Sequence, residues 1–101
     1  MSGLLGLLGL GLRGHNVAVG VEAVRKELQG NRLGCVVVAS DASPRTVEKV
    51  VRLAQARRVP LVRGPRAEDL GAQLGRPPVM AVGVRDRGLT QGVLRAASTE
   101  E

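Results

Sequence analysis

The chain has 101 residues, a length that suits one domain with its own core. Its 15 Lys and Arg residues outnumber 9 Asp and Glu residues, so the net charge is +6, and Phe, Tyr and Trp are all missing. The charge favours a polyanionic partner, RNA or DNA, contacted mostly through its phosphates. The alternatives are an acidic protein partner or a charge that only keeps the protein soluble. The missing aromatic rings exclude the modules that stack bases on such rings. Any RNA contact must therefore use cations, backbone amides, polar side chains and aliphatic packing.

The first twelve residues are rich in Leu and Gly. Leu4, Leu5, Leu8 and Leu12 recur at helical spacing and predict a helix that depends on packing, because its glycines disfavour helix formation. The stretch is too short to span a membrane and lacks the flanking features of a signal peptide. Together with a single cysteine, Cys35, this predicts a cytoplasmic protein without membrane association.

Helices and strands alternate along the rest of the chain. A short strand at Val17–Val19 leads into Gly20, and a helix with Val24 and Leu28 on its inner face then ends near Gly30. The apolar run at 33–39 is typical of a central strand buried on both faces. The elements predicted after it are a helix at 44–57, a strand at 61–63, a helix at 66–74, a strand at 79–84 and a helix at about 89–95.

This alternation predicts an α/β fold, a three-layer α/β/α sandwich with a four-stranded mixed, mostly parallel sheet. Residues 1–97 are expected to form the single domain, and residues 98–101 a frayed polar tail.

The turn at Gly20 is the first candidate binding site. A strand leads into a glycine and a helix begins at once, so backbone N–H groups at the helix start are available to an anion. Arg25 and Lys26 lie one to two turns further along, within reach of a phosphate held there. The alternative is an ordinary strand-to-helix turn that needs glycine only for its geometry.

The loop at 75–79 is the second candidate. Pro77 and Pro78 stiffen the backbone, Arg76 adds a cation, and Val79 is expected to form an apolar tip that packs on an exposed base or sugar. The alternative is a plain connecting loop.

Other residues that carry chemistry do not combine into a catalytic site. The glycines match neither the dinucleotide pattern nor the P-loop. Asp41 is interpreted as a turn or capping residue, His15 as a loop residue, and Cys35 as a small buried side chain. No metal-ligand spacing is present. We therefore expect no enzymatic activity and no cofactor; an enzyme acting on a small phosphorylated substrate is the least favoured class.

Five stretches in this order and spacing resemble the ribosomal-protein L-seven-Ae family of kink-turn RNA-binding proteins, and most of all its short bacterial, YlxQ-like branch. The resemblance covers nearly the whole chain. The stretches are residues 10–20, with Val-Ala-Val-Gly before the second helix; 36–44, with Ala-Ser-Asp-Ala-Ser-Pro; 58–62, with Arg-Val-Pro; 70–75, with Leu-Gly and Gly; and 80–84.

The resemblance implies structured, kink-turn-like RNA as partner, association with the ribosome or translation as a ribonucleoprotein, and no DNA. It places the RNA at residues 20–26 and 75–79, the two segments already selected from local chemistry. Lys26 stands where the family carries a basic helix residue. Val21, Glu22 and Ala23 stand where the family has a small residue, Asn and Glu. The alternative is a protein-interaction module of the same fold that has lost specific RNA recognition.

Overall fold

The computed structural model describes residues 3–99, which form five helices and four strands in the predicted order. The helices are α1 (Gly3–Arg13), α2 (Val21–Gln29), α3 (Pro44–Ala56), α4 (Ala67–Gln73) and α5 (Arg87–Thr99), and the strands are β1 (Val17–Val19), β2 (Cys35–Val38), β3 (Leu61–Arg63) and β4 (Ala81–Val84). Helix α5 is longer than the predicted 89–95, so it takes in the first half of the expected tail. Glu100 and Glu101 lie outside the described residues.

The four strands form one sheet in the order β1-β4-β2-β3. The prediction of a mixed sheet is confirmed, and β1, β2 and β3 share one direction. Only the β2–β3 pair is parallel, however, because β4 lies antiparallel between β1 and β2. The expected predominance of parallel pairing is therefore wrong. The reason lies in the segment after the short α4. This segment runs back along the helix to its start, where the Val79 N–H donates to the Ala67 carbonyl at 3.0 Å. Strand β4 thus enters the sheet at the end where β3 leaves it.

Helices cover both faces of the sheet, which confirms the three-layer sandwich. Alternate residues of a strand point to opposite faces, and β2 follows this rule. Val36 packs with α2 and α3, while Cys35 and Val37 pack with α1, α4 and α5. Leu4 and Leu8 of α1 are buried on the second face, so the packing predicted for this glycine-rich helix is confirmed.

Helices α2, α3 and α4, each of which lies between two strands in the chain, end in the same way. After each, one residue adopts a positive φ, and the N–H groups of that residue and the next donate to carbonyls of the last turn, the Schellman arrangement. The three residues are Asn31 (φ 57°), Arg58 (φ 58°) and Gly75 (φ 68°). Glycine and asparagine tolerate this conformation, whereas arginine adopts it at a cost of about 1–2 kcal/mol.

The sheet has two ends, which differ in the strand termini that they hold. The carboxyl pole is where β1, β2 and β3 end and β4 begins; the amino pole is where they begin and β4 ends. Because α2 and α3 each follow a strand and run back over the sheet, they start at the carboxyl pole and end at the amino pole. No helix within residues 3–99 is long and apolar enough to cross a membrane.

Candidate functional site

The turn at Gly20 joins β1 to α2 at the carboxyl pole. Gly20 has φ 98° and ψ 156°, a conformation essentially restricted to glycine, and it is the N-cap of α2. Its own N–H donates to the Ala81 carbonyl at 2.9 Å, so this amide is already used in the protein. The expected donor is therefore not Gly20 itself.

The free donors are instead the N–H groups of Val21, Glu22 and Ala23. The first intrahelical bond of α2 is donated by Val24 to the Gly20 carbonyl at 3.0 Å, and glycine supplies no side chain to cap the preceding amides. An uncapped first turn presents partial positive charge. This turn can hold a phosphate oxygen or a base acceptor.

The outward face of α2 combines a compensated charge pair with a free cation. Arg25 Nη1 lies 3.1 Å from Glu22 Oε1, and the Glu22 side chain is 85% exposed. Arg25 is therefore held by Glu22 rather than open to a phosphate as the sequence suggested. Lys26 is exposed, and no partner for its ammonium group is found within residues 3–99. A shallow depression of about 290 Å³ is bordered by Glu22, Ala23, Arg25, Lys26 and Gln29.

The loop at 75–79 folds back along α4. Its course begins with the turn at Gly75, where the Arg76 N–H donates to the Gly71 carbonyl at 2.8 Å. Gly71 is needed for a different reason: a Cβ there would collide with the carbonyl of Pro77 as the loop crosses the helix. This crossing fixes the path of the loop and leaves Arg76, Pro77 and Pro78 exposed.

The prediction that Val79 forms the apolar tip of this loop is wrong. Val79 is only 6% exposed and belongs to the core between the sheet and α4. The physical reason is that the chain has already reached the sheet: the next residue, Met80, accepts a 2.9 Å hydrogen bond from the Ala39 N–H. Any contact by the loop must come from Arg76, Pro77 and Pro78.

The sheet brings the two predicted segments to the same pole. Gly20 is bonded to Ala81, which is two residues beyond Val79, and β1 pairs directly with β4. The start of α2 and the end of the 75–79 loop are thus attached to neighbouring strands. The two segments are some fifty residues apart in sequence, and the pairing of β1 with β4 brings them together.

Asp41 has the structural role that its sequence context indicated. Its Oδ1 accepts a 2.7 Å hydrogen bond from the Ala67 N–H at the start of α4, and Arg66 Nε lies 3.7 Å from Oδ2. The bond from the Ala67 amide, assisted by Arg66, lowers the pKa of Asp41 below its ordinary value. The capping interpretation is confirmed.

Two other candidates for chemistry are also structural. Cys35 is fully buried in β2, and burial raises the pKa of its thiol to about 11, so it is a poor nucleophile. His15 lies in the loop before β1, where its backbone carbonyl accepts a bond from Arg85 Nη1 at 2.7 Å. No three His, Cys, Asp or Glu side chains in the described chain come together as a metal site.

Sequence reasoning missed a cluster at the amino pole. Glu27 accepts hydrogen bonds from Arg32 and Arg85. Arg85 is 58 residues from Glu27 in the chain, and no local pattern links them. Only the pairing of β1 with β4 brings the two together. Exposed cations therefore lie at both poles, and not only at the start of α2 and in the 75–79 loop.

Comparison with known proteins agrees with this fold. The model of the ribosomal protein L7Ae/L30e/S12e/Gadd45 family matches residues 4–93. RNA-binding protein YlxQ of Bacillus subtilis (strain 168) is 31% identical over 88 residues, which are 87% of this chain and 88% of that protein.

Two solved structures share the architecture. A protein of unknown function from Bacillus halodurans superposes with a TM-score of 0.90 at 26% identity, over 97% of this chain and 99% of the other. The 15.5kD RNA binding protein of Giardia lamblia superposes with a TM-score of 0.81 at 20% identity, over 96% of this chain and 83% of the other.

Proposed function

Because the chain belongs to the ribosomal protein L7Ae/L30e/S12e/Gadd45 family, we propose that it is a non-enzymatic RNA-binding protein that holds a kink-turn-like RNA at its carboxyl pole. The observation that carries this proposal is the uncapped first turn of α2, with Lys26 exposed one turn further along. The similarity to RNA-binding protein YlxQ supports RNA as the partner.

The first turn of α2 supplies directional donors. Three consecutive N–H groups point out of the helix start, and the helix dipole favours an anion or a base acceptor in front of them. Gly20 makes the approach possible, since the space where its Cβ would stand is open. In a protein without Phe, Tyr or Trp, backbone donors of this kind replace stacking on those rings as the means of orienting a nucleic acid.

The Glu22–Arg25 pair does not block this use. Exposed ion pairs are worth only about 0–1 kcal/mol, so RNA can open the pair at little cost. Arg25 would then turn to a phosphate, and the Glu22 carboxylate would accept hydrogen bonds from a guanine edge. Ala23 presents a methyl group in the depression and makes the contact there apolar.

The 75–79 loop provides the second contact. Pro77 and Pro78 offer a rigid exposed surface for an extruded nucleotide, and Arg76 can pair with its phosphate. Val79 acts as an anchor from the core, which holds the loop in one conformation and so reduces the entropy lost on binding.

We further propose that the RNA is ribosomal or otherwise part of translation, and that the protein acts in the cytoplasm. The family's description as ribosomal proteins supports the first part. The lone, buried cysteine fits the reducing environment of the second.

Filter binding with a kink-turn RNA and a plain RNA duplex tests the proposal. Wild type is expected to prefer the kink-turn RNA. Lys26→Gln should weaken that complex by roughly tenfold and lower the salt dependence by about one phosphate contact. Lys49→Gln is the matched control, because Lys49 is also exposed and lies on α3, away from the first turn of α2. Equal weak binding of both RNAs by wild type would remove kink-turn specificity.

One observation favours a second candidate function, a protein-interaction module of this fold. The depression on α2 joins the methyl group of Ala23 to the negative charge of Glu22, and a protein partner accepts this combination more readily than a phosphate does. Capture of cell partners before and after nuclease treatment separates the two functions, because partners bridged by RNA disappear after digestion.

A further inference from the structure

Five exposed arginine side chains lie at the amino pole. The amino-pole surface consists of these side chains, those of Arg32, Arg57, Arg58, Arg85 and Arg87. Arg57 Nη1 donates to Asn31 Oδ1 at 2.8 Å, which ties the end of α3 to the turn that follows α2. The next residue in that turn, Arg32, shares the carboxylate of Glu27 with Arg85. Glu27 thus joins Arg32 to Arg85 through hydrogen bonds, and Arg57 is bonded to the residue that precedes Arg32.

Glu27 orders two of these guanidinium groups. Its side chain is 13% exposed, whereas those of Arg32 and Arg85 are 53% and 36% exposed. Hydrogen bonds from Arg85 and Arg32 lower the pKa of Glu27, so it stays ionised near neutral pH. Because both arginines are already held, less side-chain entropy is lost when they bind a ligand. One carboxylate compensates only one of the two charges.

Two arginines of this surface occupy positions where arginine lowers the stability of the folded protein. Arg58 has φ 58°, where glycine or asparagine would be unstrained. Arg87 is the first residue of α5, at the positive end of the helix dipole, where a cation is unfavourable. Neither has a partner for its guanidinium group within residues 3–99. Backbone strain at Arg58 and the unfavourable helix dipole at Arg87 both lower stability at exposed cations without partners, which indicates that these cations bind a ligand.

The ligand is expected to be a polyanion rather than a protein. Protein interfaces need an apolar centre, but Leu10, in the last turn of α1, is the one large hydrophobic side chain strongly exposed in the described chain, and one side chain does not form such a centre. The amino-pole surface offers guanidinium forks, which match phosphate geometry. Among residues 3–99, its only carboxylates are Glu27, shared by two arginines, and Asp86, which caps α5 by accepting a 2.8 Å hydrogen bond from the Leu89 N–H.

We propose that the amino-pole surface binds the phosphate backbone of a second RNA segment, so that one molecule bridges two RNA segments. The bridging role depends on the function proposed for the carboxyl pole; phosphate binding at the amino pole does not. Contacts made to phosphates carry no sequence information, so we expect this binding to be independent of RNA sequence.

The test uses the intact protein saturated with an unlabelled kink-turn RNA. A labelled plain RNA duplex is then added, and its fluorescence anisotropy is followed. Wild type should bind the duplex without releasing the first RNA. The triple variant R57Q/R58Q/R87Q should bind the duplex about tenfold more weakly or worse, with the salt dependence reduced by about three contacts. It leaves Glu27 with both its arginines, and its retained kink-turn affinity shows that it is folded.

The matched control is R45Q/K49Q/R63Q, which removes three exposed cations from α3 and β3 instead. It should keep most of the affinity for the duplex. Displacement of the kink-turn RNA by the duplex, or equal losses in both triple variants, would overturn the proposal.

If kink-turn RNA does not bind at all, the same titration is made with free protein. Loss of duplex binding in R57Q/R58Q/R87Q but not in K26Q/R76Q then supports the amino-pole surface on its own. The reverse pattern contradicts it.

Discussion

Substitution of Gly20 by alanine isolates the backbone geometry on which the α2 site depends. The φ of 98° lies in a region essentially closed to other residues, which costs about 1–3 kcal/mol. The added methyl group meets no atom within 4 Å, so no steric clash contributes. Alanine also restricts the unfolded chain, which returns about 0.4–1 kcal/mol. The net expectation is a loss of about 1–2 kcal/mol in the free energy of unfolding.

Gly6→Ala is the matched control for this prediction. Gly6 lies within α1, and a methyl group there also meets nothing within 4 Å. Because alanine favours helix by about 1 kcal/mol over glycine, this variant should gain stability. Urea unfolding followed by circular dichroism measures the free energy of unfolding of both variants. Only Gly20→Ala should also weaken RNA binding. Equal effects of the same sign would refute the assignment of a strained, functional turn at Gly20.

Three further outcomes are expected. Arg58→Gly should raise the free energy of unfolding by about 0.5–1 kcal/mol, because the relieved backbone strain exceeds the added freedom of the unfolded chain. The same variant should bind the RNA duplex more weakly. A lower melting temperature than that of wild type would contradict the first expectation. Cys35 should react with a thiol reagent only after unfolding, since its pKa is raised to about 11 and it is buried; labelling of native protein at neutral pH argues against it. The pKa of Asp41 is lowered in the folded state. Its ionised carboxylate therefore contributes to the free energy of unfolding at pH values above the ordinary pKa of a carboxyl group, and this contribution is lost as the pH falls through the folded-state pKa. Asp41→Asn should therefore flatten the acid side of the stability profile, measured by urea unfolding at several pH values.

The helices and strands could be predicted because each has a local signal. Hydrophobic patterns and turn residues located the nine elements of residues 3–99, and Ser43-Pro44 marked the first residue of α3. Residues 33–39 were identified as a central strand from their unbroken apolar character, and β2 indeed lies between β4 and β3. These signals come from neighbours in sequence, which is why they were sufficient.

The errors concern features that only the tertiary structure decides. The direction of β4 depends on how far the chain returns after α4, and no residue of the strand encodes that. Val79 looked like part of the loop from sequence, but its backbone is already bonded to Ala67. The turn at Gly20 was expected to offer free N–H groups, but that of Gly20 itself donates to the Ala81 carbonyl on the neighbouring strand. In each case a partner distant in sequence determined the outcome.

The exposed start of α2 could be predicted for a different reason. A glycine between a strand and a helix predicts exposed N–H groups from local geometry alone. Which amides are free, and that Arg25 is engaged by Glu22, required the positions of the side chains. The Glu27 cluster could not be predicted, since Arg85 lies 58 residues further along the chain.

The most direct test of the α2 site is a titration of isotope-labelled protein with kink-turn RNA, followed by the backbone amide signals in NMR. The amides of Val21, Glu22 and Ala23 should show the largest downfield shifts, because their N–H groups acquire acceptors on the RNA. The Gly20 amide, already bonded to Ala81, should change less. Tight RNA binding that leaves these three amides unchanged would contradict the assignment of the first turn of α2 as the RNA contact.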